Sequence, residues 1–164
     1  IQNDGENHEA IIIRDGGAKN LFNEDSTVIK NYGEGINRSK KDLELNGLDV
    51  FSFSIKEPPQ NIKNILERTS TPIESIDYFV FHQANKLIIE TIRKKLKIPV
   101  EKVPYSLTDY GNTSSASIPI TFCDQLKEEA SHKKMLLCGF GVGLSWGSCI
   151  VETKNMLCLE MIEY

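Results

Sequence analysis

The chain has 164 residues, of which 40% are hydrophobic and 26% are charged. This composition is typical of a globular domain that buries a core. The formal net charge of −4 at pH 7 and the isoelectric point of about 5.4 argue against nucleic acid or an anionic membrane as a partner, because both attract strongly basic surfaces.

The four cysteines are widely spaced: Cys123, Cys138, Cys149 and Cys158. None forms a C-x-x-C pair and no histidine cluster accompanies them, so we expect no metal site and no disulfide framework. We interpret them as small buried hydrophobic residues with reduced thiols, which predicts a cytoplasmic protein. The chain begins at Ile1 without a signal segment, and the missing initial Met suggests a cut chain.

Residues 1–48 are loop-rich, with a short strand expected at residues 10–13. Residues 50–55 predict a strand. Pro58 and Pro59 then predict the start of a helix, because a proline in the first turn removes no needed hydrogen bond.

Residues 76–81 form a continuous apolar run that predicts a buried strand. Residues 85–97 predict an amphipathic helix. Its buried face consists of four apolar residues at helical spacing: Ile88, Ile89, Ile92 and Leu96. Pro99 follows the end of this helix.

The remaining elements are a strand at residues 103–107, a helix at residues 114–130, and two final strands at residues 134–138 and 146–152. Strands and helices therefore alternate from residue 50. This order predicts an α/β fold with a mainly parallel, mixed sheet covered by helices on both faces.

Three segments directly follow predicted strands, at residues 82–85 (HQAN), 111–117 (GNTSSAS) and 139–147 (GFGVGLSWG). Functional groups in parallel sheets gather at the carboxyl ends of the strands, so we expect the three segments to converge. Each has another interpretation alone. His82 could be a half-buried structural residue, Asn112 a helix cap, and the glycine run a hairpin turn.

Together, His82 and Asn112 fit the stabilisation of an oxyanion. An imidazole N–H and an amide NH₂ can point at one thioester oxygen, which becomes an enolate when a malonyl thioester loses carbon dioxide. This step needs no general base, in agreement with the absence of acidic residues from the three segments. Backbone N–H groups of the glycine run can serve a second oxyanion.

The three segments resemble the C-terminal motifs of ketoacyl-carrier-protein synthase III, a member of the thiolase-like superfamily: HQAN, then GNTSAAS-P, then a GFG-G loop followed by WG. The resemblance also covers residues 46–51. It implies a thiolase-like half, with residues 1–48 as a segment connecting to a missing N-terminal half and residues 49–164 as the C-terminal domain.

The resemblance also implies a role for each matching residue. His82 and Asn112 match the catalytic histidine and asparagine, and Phe140 matches an aromatic residue beside the active centre. The turn that supplies an oxyanion amide corresponds to Gly141, Val142 and Gly143. The positions lining the pantetheine channel correspond to Gly47, Phe51, Ala84 and Asn85.

The family's nucleophile is a cysteine in the N-terminal half, and this chain has no candidate for it. The resemblance therefore implies that the isolated chain is inactive. It further implies acyl-CoA and malonyl-carrier protein as substrates, no bound cofactor, and acyl carrier protein, coenzyme A thioesters and the N-terminal half as partners. The family is usually dimeric, so a homodimer is expected.

Two positions depart from the family pattern. Leu48 stands where an asparagine is frequent, and Leu87 stands where some members have a basic residue for carrier-protein docking. A docking face on the second helix could instead use Lys86, Arg93, Lys94 and Lys97. These side chains could equally form an ordinary solvated helix face.

Two alternatives to a condensing enzyme stay open. One is a relative that transfers an acyl group without extending it, in which His82 acts as a base. The other is a non-catalytic binding or assembly module, which the missing cysteine suggests.

Overall fold

The structure is a computed structural model that describes residues 1–162. The strands are β1 (Gln2–Asn3), β2 (Ile11–Ile12), β3 (Lys30–Asn31), β4 (Asn37–Arg38), β5 (Glu44–Leu45), β6 (Tyr78–Phe81), β7 (Lys134–Gly141) and β8 (Ser145–Glu152). The α-helices are α1 (Gly47–Arg68), α2 (Lys86–Lys95), α3 (Leu107–Tyr110) and α4 (Ser117–Thr121). Short 3₁₀ turns and one π-helical turn, Phe122–Leu126, complete the fold.

The central sheet has the strand order β1-β8-β7-β6. Strands β6 and β7 are parallel, whereas β8 runs antiparallel to both β7 and β1. The predicted α/β class with a mixed sheet is confirmed. The last two predicted strands are also confirmed, and they form a hairpin in which Phe140 lies opposite Trp146.

Helices cover both faces of this sheet, as predicted. On one face, Phe79 and Phe81 pack with the buried sides of α1 and α2. On the other face, Val80 and Met135 pack with the helical segment that follows α4. Successive residues of β6 alternate between the two cores because side chains alternate across a strand.

The strand predicted at residues 50–55 is wrong, because this segment belongs to α1. Asn46 caps the helix, with its side chain accepting the Asp49 N–H at 3.4 Å. The prolines lie inside the helix instead of at its start. Pro59 cannot donate to the carbonyl four residues earlier, and Lys95 Nζ from α2 instead donates to that carbonyl, of Ile55, at 2.9 Å.

The strand predicted at residues 103–107 is also wrong. Val103 is extended but pairs with no strand among residues 1–162, and α3 begins at Leu107. The backbone N–H of Ser106 donates to the side chain of Gln83 instead of to a strand ladder. The sheet therefore contains one parallel and two antiparallel pairs among its described strands, so it is mixed but not mainly parallel as predicted.

The helix predicted at residues 114–130 is helical but irregular. It consists of a 3₁₀ turn, α4, the π-helical turn and a second 3₁₀ turn. The predicted helix at residues 85–97 is confirmed as α2, and its four predicted core residues are all buried. The helical spacing of these apolar residues therefore predicted the buried face of α2 correctly.

Residues 1–46 form short antiparallel ladders around two buried carboxylates. Glu44 pairs with Arg14 at 2.9 Å and with Arg38 at 3.1 Å. Asp15 accepts the Ser26 hydroxyl at 2.9 Å. The division of the chain at residue 48 stays a prediction. No helix within residues 1–162 combines the length and apolar character needed to cross a bilayer.

Candidate active site

His82 is held where the parallel pair β6–β7 ends. Its backbone N–H donates to the Cys138 carbonyl at 2.9 Å, which extends the strand pairing by one residue. The His82 ring meets the Phe140 ring edge to face, with 5.5 Å between centroids. The strand end thus fixes the backbone of His82, and Phe140 limits the ring's orientation.

Asn112 follows α3, which ends at Gly111 with a φ of +64°. The Asn112 Oδ1 atom accepts the Ser114 N–H at 2.9 Å. The oxygen is engaged in this turn, and the NH₂ group makes a 3.5 Å contact with the Ala84 carbonyl. A contact of that length is weak, so the amide N–H groups can bind a substrate atom.

The predicted convergence of the three segments is confirmed. Asn112 reaches Ala84 in the HQAN segment, and Phe140 of the glycine-rich segment touches His82. The backbone of Ser114 links the two polar groups, since its N–H binds Asn112 and its carbonyl acts on the His82 ring. An imidazole and a carboxamide therefore share one edge of the sheet.

Burial lowers the pKa of His82 below its ordinary value of 6.5, and the nearby Ser114 carbonyl opposes this shift by favouring the protonated ring. Desolvation disfavours the charged imidazolium more than that carbonyl stabilises it. The imidazole is therefore neutral at pH 7, with one N–H donor and one nitrogen acceptor.

The predicted oxyanion loop follows Phe140 directly. Gly141 ends β7, and Val142 is exposed. Gly143 has a φ of +130°, and a Cβ atom built there would overlap the Ser145 side chain. The turn therefore requires glycine at position 143 chiefly for its backbone angle. The oxyanion role of its amides stays a prediction.

The four residues predicted to line a pantetheine channel have different surroundings. Phe51 and Ala84 are partly buried and pack against the main core. Gly47 is exposed in the first turn of α1. Asn85 is exposed and caps α2, with its side chain accepting the Ile88 N–H at 2.8 Å. This bond gives Asn85 a structural role, and the channel itself stays a prediction.

The basic residues of the predicted docking face divide into two kinds. Lys86, Lys94 and Lys97 are exposed. Arg93 is mostly buried, donates to both carboxylate oxygens of Glu90 at 2.9 and 2.8 Å, and donates to the Ile98 carbonyl at 2.8 Å. These contacts leave Arg93 less able than the lysines to bind a partner.

The interpretation of the four cysteines as buried is correct for Cys138 and wrong for Cys149, which is exposed. Cys123 and Cys158 are partly buried. Burial raises the pKa of Cys138 to about 12, although a contact with Ser148 opposes the shift. That thiol is therefore not a nucleophile at neutral pH. Within residues 1–162, no three His, Cys, Asp or Glu side chains are grouped as a metal site would require.

Ser117 is a contact of His82 that the sequence reasoning missed. Its hydroxyl oxygen lies 2.7 Å from His82 Nδ1, and the residue is buried in the first turn of α4. The available signal was the recurrence of small hydroxyl residues in the GNTSSAS segment. Their register against His82 depends on how α4 packs on the sheet, which the spacing does not define.

Residues 66–153, more than half of the chain, match the family model for the C-terminal domain of 3-oxoacyl-[acyl-carrier-protein] synthase III. The chain belongs to this family. Its synthase III relatives include proteins named beta-ketoacyl-[acyl-carrier-protein] synthase III. The one from Clostridium perfringens strain ATCC 13124 is 34% identical over 93% of this chain and 44% of its own length. The one from Streptococcus gordonii is 40% identical over 68% of this chain and 36% of its own length.

Solved structures agree with this assignment. A crystal structure of a 3-oxoacyl-(acyl-carrier-protein) synthase III is 32% identical and superposes with a TM-score of 0.84, over 92% of this chain and 45% of that one. A 3-oxoacyl-(acyl-carrier protein) synthase from Burkholderia xenovorans LB400 is 30% identical with a TM-score of 0.83, over 99% and 46%. The chain spans less than half the length of these relatives, and it has the thiolase-like fold of their C-terminal half.

Proposed function

We propose that this chain supplies the C-terminal catalytic half of a condensing acyltransferase, in which His82 and Asn112 stabilise the enolate formed from a malonyl thioester. The observation that carries the proposal is the shared placement of the two donors. The Ser114 N–H donates to Asn112 Oδ1 at 2.9 Å and so orients the Asn112 amide. The His82 imidazole is neutral, and its backbone is fixed at the end of β6.

The proposed reaction begins when the carboxylate of the malonyl thioester leaves as carbon dioxide. The electron pair of the broken carbon–carbon bond moves into the thioester, whose oxygen becomes an enolate oxyanion. N–H groups of His82 and Asn112 stabilise that charge as it develops. Phe140 shields the ring of His82 from water on one side, which strengthens these interactions.

The enolate carbon then attacks the carbonyl of an acyl group carried on a cysteine thiol. The cysteine belongs to the N-terminal half of the complete enzyme. Attack forms a tetrahedral oxyanion, for which the turn at Gly141, Val142 and Gly143 offers backbone N–H groups. The attack itself makes the new carbon–carbon bond. Collapse of the intermediate restores the carbonyl, breaks the carbon–sulfur bond and releases the cysteine thiolate.

The proposed substrates are an acyl-CoA and a malonyl-carrier protein, used in the cytoplasm for fatty-acid or related acyl-chain synthesis without a bound cofactor. The exposed Lys86, Lys94 and Lys97 support docking of an acidic carrier protein on α2. Arg93 contributes less to the positive charge of this surface than the lysines do, because its guanidinium is paired with Glu90. The complete enzyme is proposed to be a homodimer.

The test uses the natural polypeptide that contains this chain, incubated with acyl-CoA and malonyl-carrier protein. We expect an acyl adduct on a cysteine outside residues 1–164, seen by mass spectrometry, and a ketoacyl product two carbons longer. Residues 1–164 alone are expected to give neither adduct nor product, since nucleophile and donors must share one site. Condensation by residues 1–164 alone would contradict the proposal.

The neutral imidazole of His82 supports a second candidate, an acyltransferase that does not extend the chain. In that reaction His82 would accept a proton from an alcohol or amine nucleophile. Product analysis with and without malonyl-carrier protein separates the two. Extension that depends on the malonyl donor supports condensation, and an ester or amide product formed without it supports the second candidate.

A further inference from the structure

A chain of buried hydroxyl groups runs behind His82. Ser117 Oγ lies 2.7 Å from His82 Nδ1. Thr121 Oγ1 donates to the Ser117 carbonyl at 2.8 Å and lies 2.7 Å from Ser106 Oγ. All three hydroxyl residues are at most 1% exposed. Buried polar groups of this kind need partners, so each hydroxyl proton has a definite acceptor.

The hydroxyl protons of this chain can be assigned by counting acceptors. Thr121 uses its one proton on the Ser117 carbonyl, so Ser106 donates to Thr121. Among the side-chain hydrogen bonds of residues 1–162, His82 Nδ1 is the one partner of Ser117 Oγ. A buried hydroxyl without an acceptor is costly, so the Ser117 proton points at Nδ1.

The Ser114 carbonyl is a second acceptor close to the His82 ring, where it favours the protonated imidazole. It already accepts the backbone N–H of Ser117 at the start of α4. In an Nδ1–H tautomer, Nδ1 would donate to Ser117 Oγ, and the Ser117 hydroxyl proton would have no acceptor among the side-chain hydrogen bonds of residues 1–162. The arrangement therefore favours an Nδ1 atom that accepts and an Nε2 atom that carries the ring proton.

We propose that Ser117 is a positioning residue that holds the neutral His82 imidazole in its Nε2–H tautomer, so that the ring presents a donor to the thioester oxygen. This inference rests on the proposed function, in which His82 acts as a donor. In the opposite tautomer, Nε2 would present a lone pair to the developing enolate, and the donor would be lost.

The surrounding network fixes the position of Ser117. The Thr121 hydroxyl donates to the Ser117 backbone carbonyl, and Ser106 binds both Thr121 and Gln83, the residue after His82. The Ser106 N–H donates to Gln83 Oε1 at 3.2 Å, and Gln83 Nε2 donates to the Phe81 carbonyl at 2.9 Å. Gln83 is fully buried, so this network anchors the backbone on both sides of His82.

The tautomer can be measured directly in the natural polypeptide labelled with ¹⁵N-histidine. Multiple-bond ¹⁵N–¹H NMR distinguishes a protonated ring nitrogen from an unprotonated one. The signals of His82 are assigned by their loss in His82→Gln, since this chain has three histidines. We expect Nδ1 to be unprotonated and Nε2 protonated at pH 7.5. A wild-type ring with its proton on Nδ1 would overturn the proposal.

Variants of Ser117 test the cause. In Ser117→Ala we expect a mixture of tautomers or the Nδ1–H form, with malonyl decarboxylation slowed by about tenfold, the scale of one lost hydrogen bond. Acyl loading should change less than threefold. Ser117→Thr keeps the hydroxyl and should restore the Nε2–H form. Ser115→Ala, at an exposed serine of the same segment, is the matched control and should resemble wild type.

The outcomes separate this inference from the proposed function. If Ser117→Ala keeps its thermal unfolding midpoint and the Nε2–H form, Ser117 does not set the tautomer and the inference is wrong. If the wild type has the Nε2–H form but never decarboxylates malonyl thioesters, the proposed function fails while the tautomer assignment stands.

Discussion

Asn112 offers a sharp test because one atom of its side chain orients the group and another is proposed to act. Oδ1 accepts the Ser114 N–H at 2.9 Å, whereas the Nδ2 contact within residues 1–162 is a weak one of 3.5 Å to the Ala84 carbonyl. Asn112→Ala removes both functions. Asn112→Asp keeps an oxygen for Ser114 and removes the NH₂ donor, so the pair separates orientation from donation.

The expected size of the effect follows from the role of the donor. Loss of one oxyanion donor costs about 3 kcal/mol of barrier, or on the order of a hundredfold in rate. Asn112→Asp should slow malonyl decarboxylation by at least this factor, because a carboxylate also repels the enolate. Asn112→Ala should lower the free energy of unfolding by about 1 kcal/mol, since the bond from Ser114 is lost at an exposed position.

The assay measures two half-reactions in the natural polypeptide. Carbon dioxide release from malonyl-carrier protein reports decarboxylation, and mass spectrometry of the acyl-cysteine reports loading. Loading should stay within threefold of wild type in both variants. If Asn112→Asp decarboxylates at the wild-type rate, or if both half-reactions fall equally, the assignment of Asn112 as the enolate donor is refuted.

Three further predictions concern the fold around the site. Gly143→Ala should destabilise the protein by about 1 kcal/mol or more, because a φ of +130° strains any residue that has a Cβ atom, and that atom would also displace the Ser145 side chain. Thermal unfolding measures this loss. Ile92→Ala should cost about 2–5 kcal/mol in chemical denaturation, since Ile92 is fully buried. Arg93 lowers the pKa of Glu90 from 4.5 to about 2, with a smaller contribution from Tyr105. Protonation of Glu90 should therefore lower the free energy of unfolding as the pH falls from 4.5 towards 2, and this decrease should be smaller in Arg93→Met.

Two of these predictions have a control variant close by in the chain. Gly141→Ala places its Cβ where no atom lies within 4 Å, so it should unfold near the wild-type temperature. Lys94→Ala changes an exposed side chain of α2 and should alter stability by less than about 0.5 kcal/mol. An Arg93→Met protein whose stability falls with acid as steeply as wild type would show that Glu90 is not the group responsible.

The sequence predicted which segments meet better than it predicted the elements around them. Residues 50–55 read as a strand because Phe51, Phe53 and Ile55 alternate with serines, a period of two. In the fold, a helical spacing decides instead, because the buried residues Ser54, Pro58, Ile62 and Leu66 recur every four residues along α1 and lie on one face. The alternation extends over six residues, whereas the helix packs its buried face along 22 residues. The longer packing surface therefore determines the structure of this segment.

The candidate site was predictable because its segments adjoin strand ends. His82 follows β6 and Phe140 lies near the end of β7, so the parallel pairing brings them together. Asn112 follows a helix and not the strand expected before it, yet it reaches the same edge. Ser117 was not predictable, because its contact with His82 depends on the depth at which α4 packs.

The most direct test of the account is a crystal structure of the natural polypeptide with a non-hydrolysable malonyl-thioester analogue. We predict that one thioester oxygen lies within about 2.7–3.1 Å of both His82 Nε2 and Asn112 Nδ2, the range for an oxyanion donor. A thioester oxygen bound by neither nitrogen, or a ring turned so that Nδ1 faces the analogue, would contradict the account.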